Sequence, residues 1–222
     1  MKVLLVSTYE LGHQPFGLAS PAAWLAEAGA EVSCFDLAVE MLDEDAIHTA
    51  GLIAVYLPMH TATRLASTVV PRIRALNPAA HLCFYGLYAP LNEAFVRTEL
   101  GGGTVLGGEF ESGLVNLYKR LSANGSDALA PQSEPIISLI KQNFCVPQRE
   151  GLPPLSRYAY VEMGRLGRRT VGYTEASRGC KHLCRHCPIV PVYKGRFFVI
   201  SEKIVMEDIR QQVALGAGHI SF

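Results

Sequence analysis

No stretch of this 222-residue sequence approaches the roughly 18 consecutive apolar residues of a membrane span. The opening Met1-Lys2-Val3-Leu4-Leu5-Val6-Ser7 is too short an apolar run for a signal-peptide core. Net charge is missing too: 20 Lys and Arg balance 20 Asp and Glu, which removes the basic face that nucleic-acid binders carry. No G-x-G-x-x-G follows the first apolar run, so a dinucleotide site of that kind is excluded, and no internal repeat or low-complexity tract is present. What remains is an ordinary globular composition, 49% hydrophobic and 18% charged, with apolar material for a core. A cytoplasmic location is the default expectation, and reduced thiols there make clustered cysteines candidates for metal binding.

Through residue 125, apolar runs alternate with helical patterns. Val3 to Val6 reads as a strand buried on both faces, with further strands at 31–36, 52–57, 81–85 and 104–106. Helices are expected over 15–28, closed by Gly29, then 62–76, 90–100 and 109–123. Pro71 predicts a kink or break in the second of these. Strictly alternating strands and helices predict a parallel sheet covered on both faces, a doubly wound α/β domain. Ligands of such sheets lie at the carboxyl ends of the strands. There the sequence offers loops at 8–17, 58–60, 86–88 and Gly107-Gly108-Glu109, whose glycines serve either a ligand or simply tight turns.

From Asn124-Gly125-Ser126-Asp127 the texture changes, and Pro131, Pro135, Pro147, Pro153 and Pro154 follow within thirty residues. Residues 126–164 read as a linker with at most a short helix over 135–144. Beyond it, Arg169 to Ser177 reads as one strand, Ser201 to Leu215 as a helix with Ser201 as N-cap, and His219 to Phe222 as another strand. Between the strand and the helix lies Gly179-Cys180-Lys181-His182-Leu183-Cys184-Arg185-His186-Cys187-Pro188. Three thiols spaced C-x3-C-x2-C on one loop can serve a single centre. An iron–sulfur cluster is the leading expectation, and three cysteines leave one iron of a four-iron cluster without a protein ligand. The competing expectations are zinc, with His182 or His186 as fourth ligand, and a disulfide-bonded loop. Cys34, Cys83 and Cys145 stand apart in apolar surroundings and read as structural.

Ser177-Arg178-Gly179-Cys180, the cysteine triad, His186 before the last cysteine, and the order strand, loop, helix, strand over 165–222 resemble the start of a radical S-adenosylmethionine enzyme. That resemblance implies a partial-barrel fold and a [4Fe-4S] cluster on Cys180, Cys184 and Cys187. It also implies S-adenosylmethionine on the open iron, its reductive cleavage to a 5′-deoxyadenosyl radical, and an electron donor such as flavodoxin or ferredoxin. The substrate, a small molecule or a peptide, and the catalytic residues are not identified. Residues 1–125 resemble the Rossmann- or flavodoxin-like cobalamin-binding domain that precedes the barrel in one branch of that family. The matching features are Gly17-Leu18-Ala19, Gly29-Ala30-Glu31-Val32 and Gly107-Gly108-Glu109-Phe110-Glu111. This implies cobalamin as a further cofactor, with Gly107, Gly108 and Glu109 at its site. The family's Asp-x-His-x-x-Gly is missing from the first loop, and His13 does not fit its spacing, so no histidine is expected to coordinate cobalt from below. The alternative function is a non-catalytic electron-transfer or zinc module closed by a fourth ligand such as Cys145 or His186. Because the chain stops on the second barrel strand, it is read as the N-terminal part of a longer enzyme, or as one that a partner completes.

Overall fold

The computed structural model describes residues 1–123 and 134–222. The first part of the expected linker, including Ser126, Asp127 and Pro131, lies outside them. The N-terminal half runs β1 (Lys2–Ser7), α1 (Phe16–Glu27), β2 (Glu31–Asp36), α2 (Glu44–Thr49), β3 (Leu52–Tyr56), α3 (His60–Leu76), β4 (His81–Tyr85), α4 (Tyr88–Leu91), α5 (Glu93–Thr98), β5 (Thr104–Gly108) and α6 (Glu111–Ser122). With β6 (Ile137–Ser138) these strands form one parallel sheet in the order β2-β1-β3-β4-β5-β6. Strand order reverses between β1 and β3, the switch point of a flavodoxin-like sheet.

Alternate residues of each strand feed opposite faces. Leu4, Val6, Ile53, Val55 and Phe84 pack under α3 through Ala66, Val70 and Ile73. Val3, Leu5, Leu52, Ala54 and Tyr85 pack under α1 and α6 through Leu18, Leu25, Leu114 and Leu117. All of these are fully or almost fully buried. The sequence expectation of a doubly wound α/β domain therefore describes the fold.

The second half runs β7 (Tyr160–Glu162), β8 (Arg168–Tyr173), β9 (Ser177–Gly179), α7 (Ile189–Tyr193), β10 (Phe197–Val199), α8 (Glu202–Ala214) and β11 (His219–Ser221). β8 and β11 pair in parallel on either side of α8, the expected strand, loop, helix, strand order. Among the described residues no helix is long and apolar enough to cross a membrane.

Several local expectations are corrected. The 135–144 segment holds no helix; Ile137–Ser138 instead joins the sheet beside Gly107 and Gly108. The expected single strand ending at Ser177 is two, because the chain turns between β8 and β9 and β9 pairs with β10. The expected helix 90–100 is α4 and α5, divided at Asn92. Pro71 does not break α3: it lies on the exposed face, where water can serve the carbonyl it leaves free. Ser201 occupies the N-cap of α8 without a side-chain cap bond. Pro21, buried in α1, withholds an N–H from the carbonyl of Gly17, and the Tyr85 hydroxyl donates to that oxygen at 2.7 Å instead.

Gly108 shows why β6 can dock. Its φ is +69°, and a Cβ there would lie 2.2 Å from the Ser138 carbonyl oxygen. Gly29 has φ +85° but open space around it. Gly108→Ala is therefore expected to cost about 2–4 kcal/mol, adding a backbone clash to the strain of a left-handed conformation, and Gly29→Ala about 1–2 kcal/mol from strain alone. Urea unfolding of the two variants checks the ordering; equal losses would contradict it.

Candidate functional site

The segment after β5 carries the site. Glu111 lies in the first turn of α6, where the unpaired N–H groups of a helix N-terminus favour a carboxylate. Its oxygens accept two bonds from Arg178, at 2.8 and 2.6 Å, and one from Ser20 at 2.8 Å. The third guanidinium edge of Arg178 donates to Glu175 at 2.7 Å, and the group sits over the rings of Phe110 and Phe144 at 5.0 and 4.9 Å. Arg178 and Glu111 are buried, so neither charge is tolerable without the other. Burial opposes the charge of Arg178, and Glu111 and Glu175 outweigh it, holding its pKa above the usual arginine value.

Arg178 stands two residues before Cys180, and the far side of the cysteine loop is pinned to the same segment. Tyr193, closing α7, donates to Glu109 at 3.2 Å and to the Gly108 carbonyl at 3.3 Å. The loop itself starts from Gly179, whose φ is +77° and whose Cβ would lie 2.3 Å from the Arg196 carbonyl oxygen; the Cys180 N–H bonds that oxygen at 3.1 Å. Cys180, Cys184 and Cys187 are free thiols, the first and last half-buried and Cys184 exposed. As a donor set, three free thiols on one loop suit an iron–sulfur cluster. Their side chains are not gathered on one centre: among the described residues, no group of three or more His, Cys, Asp or Glu is placed to hold a metal ion. Neither His182 nor His186 thus completes a zinc set in this structure. Cys145 lies elsewhere, its thiol directed to Glu27 at 3.3 Å and pushed up to about 12 by burial and by that carboxylate. Cys83 is buried and Cys34 half-buried against the α1 side of the sheet, in agreement with structural roles.

A second buried ion pair ties the two halves together. Arg149 donates to both oxygens of Asp208 on α8 at 2.9 and 2.8 Å, to Gln14 of the first loop at 3.1 Å, and to the Tyr173 carbonyl at 2.7 Å.

Between these clamps, at the carboxyl ends of β1, β3 and β5, opens a cavity of about 480 Å³, within the range of small-molecule sites. Tyr56, Met59, Phe110, Tyr173 and Tyr193 give it aromatic and apolar walls, and Gly179 and Ile189, the flanks of the cysteine loop, border it. A neighbouring cavity of about 360 Å³ shares Glu10 and His13 with it. Glu10 is 7% exposed, and its Oε2 has no hydrogen-bond partner among the described residues. Burial, then the nearby Glu175, holds its pKa well above the usual carboxylate range. His13 stacks on Tyr173 at 5.0 Å, and burial lowers its pKa, favouring the neutral ring.

Of the three residues expected at a cofactor, Gly108 alone borders the larger cavity. Much of the space the glycines leave is taken by protein: a Cβ on Gly107 would meet Pro90 at 2.4 Å, and one on Gly108 the Ser138 carbonyl. Glu109 is fully buried, bonded to Tyr193, with Arg178 at 3.7 Å. Sequence reasoning missed Glu10 and Arg149. It named Glu111 and Arg178 as members of two motifs and missed that they pair.

No protein-family model and no curated protein sequence matches the chain. Among solved structures, it is similar to TsrM of Kitasatospora setae, a radical S-adenosylmethionine methyltransferase. With tryptophan substrate and an S-adenosylmethionine analogue bound, that structure gives a TM-score of 0.73 at 18% identity, covering 99% of this chain and 47% of that one. With cobalamin and a [4Fe-4S] cluster bound, it gives 0.71 at 19% identity, covering 100% and 49%. The chain spans about half the length of these structures. At such identity the likeness is one of fold, and it supports the α/β fold with its parallel sheet.

The acids of the site make a pH prediction. Burial raises Glu109 from the ordinary 4.5 to about 7, with Arg178 opposing and Glu111 adding to the rise. The folded chain then holds a proton that the unfolded chain has lost, so stability falls as pH rises from 4.5 to about 7 and levels off above. Glu109→Gln is expected to flatten this part of the unfolding free-energy profile by up to about 3 kcal/mol. Profiles of identical slope for the two chains would contradict the assignment.

Proposed function

We propose that this chain is the N-terminal part of a radical S-adenosylmethionine enzyme whose α/β domain is of the cobalamin-binding type. The observation that carries the proposal is the anchoring of both flanks of the C-x3-C-x2-C loop, by Arg178 and Tyr193, beside a cavity at the carboxyl ends of a parallel sheet. The fold likeness to TsrM supports it. Cys180, Cys184 and Cys187 would hold a [4Fe-4S] cluster, which supplies the electron for cleaving S-adenosylmethionine. The chain's own residues have the other tasks. Arg178, Glu111 and Tyr193 fix the loop against the sheet, and the aromatic walls offer apolar surface to a ligand in the cavity. If cobalamin occupies the first domain, His13 would not be among the residues that hold it, since the first loop lacks the Asp-x-His-x-x-Gly spacing. A flavodoxin- or ferredoxin-like carrier would supply the electron, and the full activity and substrate belong to the longer protein. The alternative, a closed electron-transfer or zinc module, is less supported, since Cys145 is engaged with Glu27 away from the loop.

Two measurements test this. After anaerobic reconstitution the chain is expected to bind about four irons, with a broad visible absorption that S-adenosylmethionine perturbs. Alanine at Cys180, Cys184 or Cys187 should abolish iron uptake, and alanine at Cys34 or Cys83 should leave it. Zinc in place of iron, or a cluster indifferent to S-adenosylmethionine, would favour the alternative. If cobalamin binds, His13→Ala should leave its spectrum unchanged; a shifted spectrum would make His13 a ligand.

A further inference from the structure

Two buried polar atoms of residues lining the cavity have no hydrogen-bond partner among the described residues, Oε2 of Glu10 and Nδ1 of His13, and Glu10 is the acid of the two. Its carboxyl is more than nine-tenths buried and borders the 480 Å³ cavity, and one of its oxygens has no hydrogen-bond partner among the described residues. A buried acid normally answers to a buried cation. Here both nearby guanidinium groups are committed elsewhere: Arg149 to Asp208, Gln14 and the Tyr173 carbonyl, and Arg178 to Glu111 and Glu175. The charged groups acting on Glu10 from neighbouring elements are Glu175 before β9, Asp36 at the end of β2 and Arg149, so acids outnumber bases around it. Burial lowers the pKa of His13, on the same loop, which disfavours its cationic form. The walls beside it are aromatic, from Tyr56, Phe110, Tyr173 and Tyr193, and such faces favour a cation.

We propose that Glu10 is the recognition group for a protonated amine carried on an apolar or aromatic ligand in this cavity. The proposal rests on the reading of the cavity as a ligand chamber and adds the charge class of what enters it. Arrival of the cation makes up the missing positive charge, and Glu10 ionises, releasing its proton to solvent. No bond is made or broken in the ligand. A neutral ligand of the same shape gains the apolar contacts and leaves the Oε2 of Glu10 without a charge partner. An anionic one meets Glu10 and Glu175 together.

The test uses the 222-residue chain without iron, titrated with phenethylamine and with its uncharged analogue 2-phenylethanol, so that failed cluster assembly does not obscure the result. The amine is expected to bind at least about tenfold tighter than the alcohol. Glu10→Gln should bring the two within about twofold of each other while leaving the alcohol's affinity and the thermal unfolding midpoint in place. A variant-free measurement stands beside it: on the wild-type chain, amine affinity should rise with pH above the ordinary carboxylate range, with proton release visible as a buffer-dependent binding enthalpy. Equal affinities of amine and alcohol for the wild type, an amine preference that survives Glu10→Gln, a flat pH profile, or no binding of either probe would each overturn the proposal. If the chain takes up no iron and still discriminates the amine, the proposed cluster fails and this inference stands.

Discussion

The arrangement depends on one buried cation. Arg178 faces Glu111 with two hydrogen bonds and Glu175 with a third, while Glu109 stands 3.7 Å away. Desolvating such groups costs several kcal/mol per ion, and a partner left alone in the interior destabilises a fold by roughly 3–5 kcal/mol. The pair is therefore weak evidence of added stability and strong evidence of fixed geometry. Glu111 belongs to the first turn of α6, and Arg178 to the strand that enters the cysteine loop. Their bond sets where that loop begins relative to the sheet.

Tyr193 does the same for the loop's exit, through the Gly108 carbonyl and Glu109. Four residues, 108 to 111, thus receive both ends of a segment some seventy to eighty residues later in the chain. The Arg149–Asp208 pair holds α8 against the first loop through Gln14. Each clamp joins a group from the sheet half to one from the second half, so the cavity between them has walls from both.

How much of this the sequence disclosed follows from which signals are local. Continuous apolar runs such as Val3 to Val6 announce a strand buried on two faces, and helical spacing between such runs announces the crossovers; the sheet was legible for that reason. Two-residue β6 carries no periodicity, and its place depends on the absence of a Cβ at Gly108, a tertiary fact. At Pro21 in α1 the missing N–H donor is replaced by the hydroxyl of Tyr85, on β4. The cysteine loop stood out because its three thiols share one spacing pattern within ten residues. The pairings of Arg178 with Glu111 and of Arg149 with Asp208 were not legible, since a buried arginine has the same letter as an exposed one and its partner lies tens of residues away.

The glycines after β5 illustrate the difference between a motif and its physical use. As a sequence they suggest a backbone open to a ligand. In the fold a side chain at Gly107 would strike Pro90 and one at Gly108 the Ser138 carbonyl, so protein occupies much of the room they leave. The Gly108 carbonyl then becomes an acceptor for Tyr193, and Glu109 is drawn into the same contact. The small residues shape the cavity's surroundings indirectly: they let β6 close one side of the sheet and let α7 rest on its end. An open cavity remains further along the strand termini, where Glu10 lies between two voids and Tyr56 and Phe110 form the floor. The unpartnered acid of the cavity thus lies on the first loop beside the aromatic floor, and the glycine turn determines where the cysteine loop stands beside them.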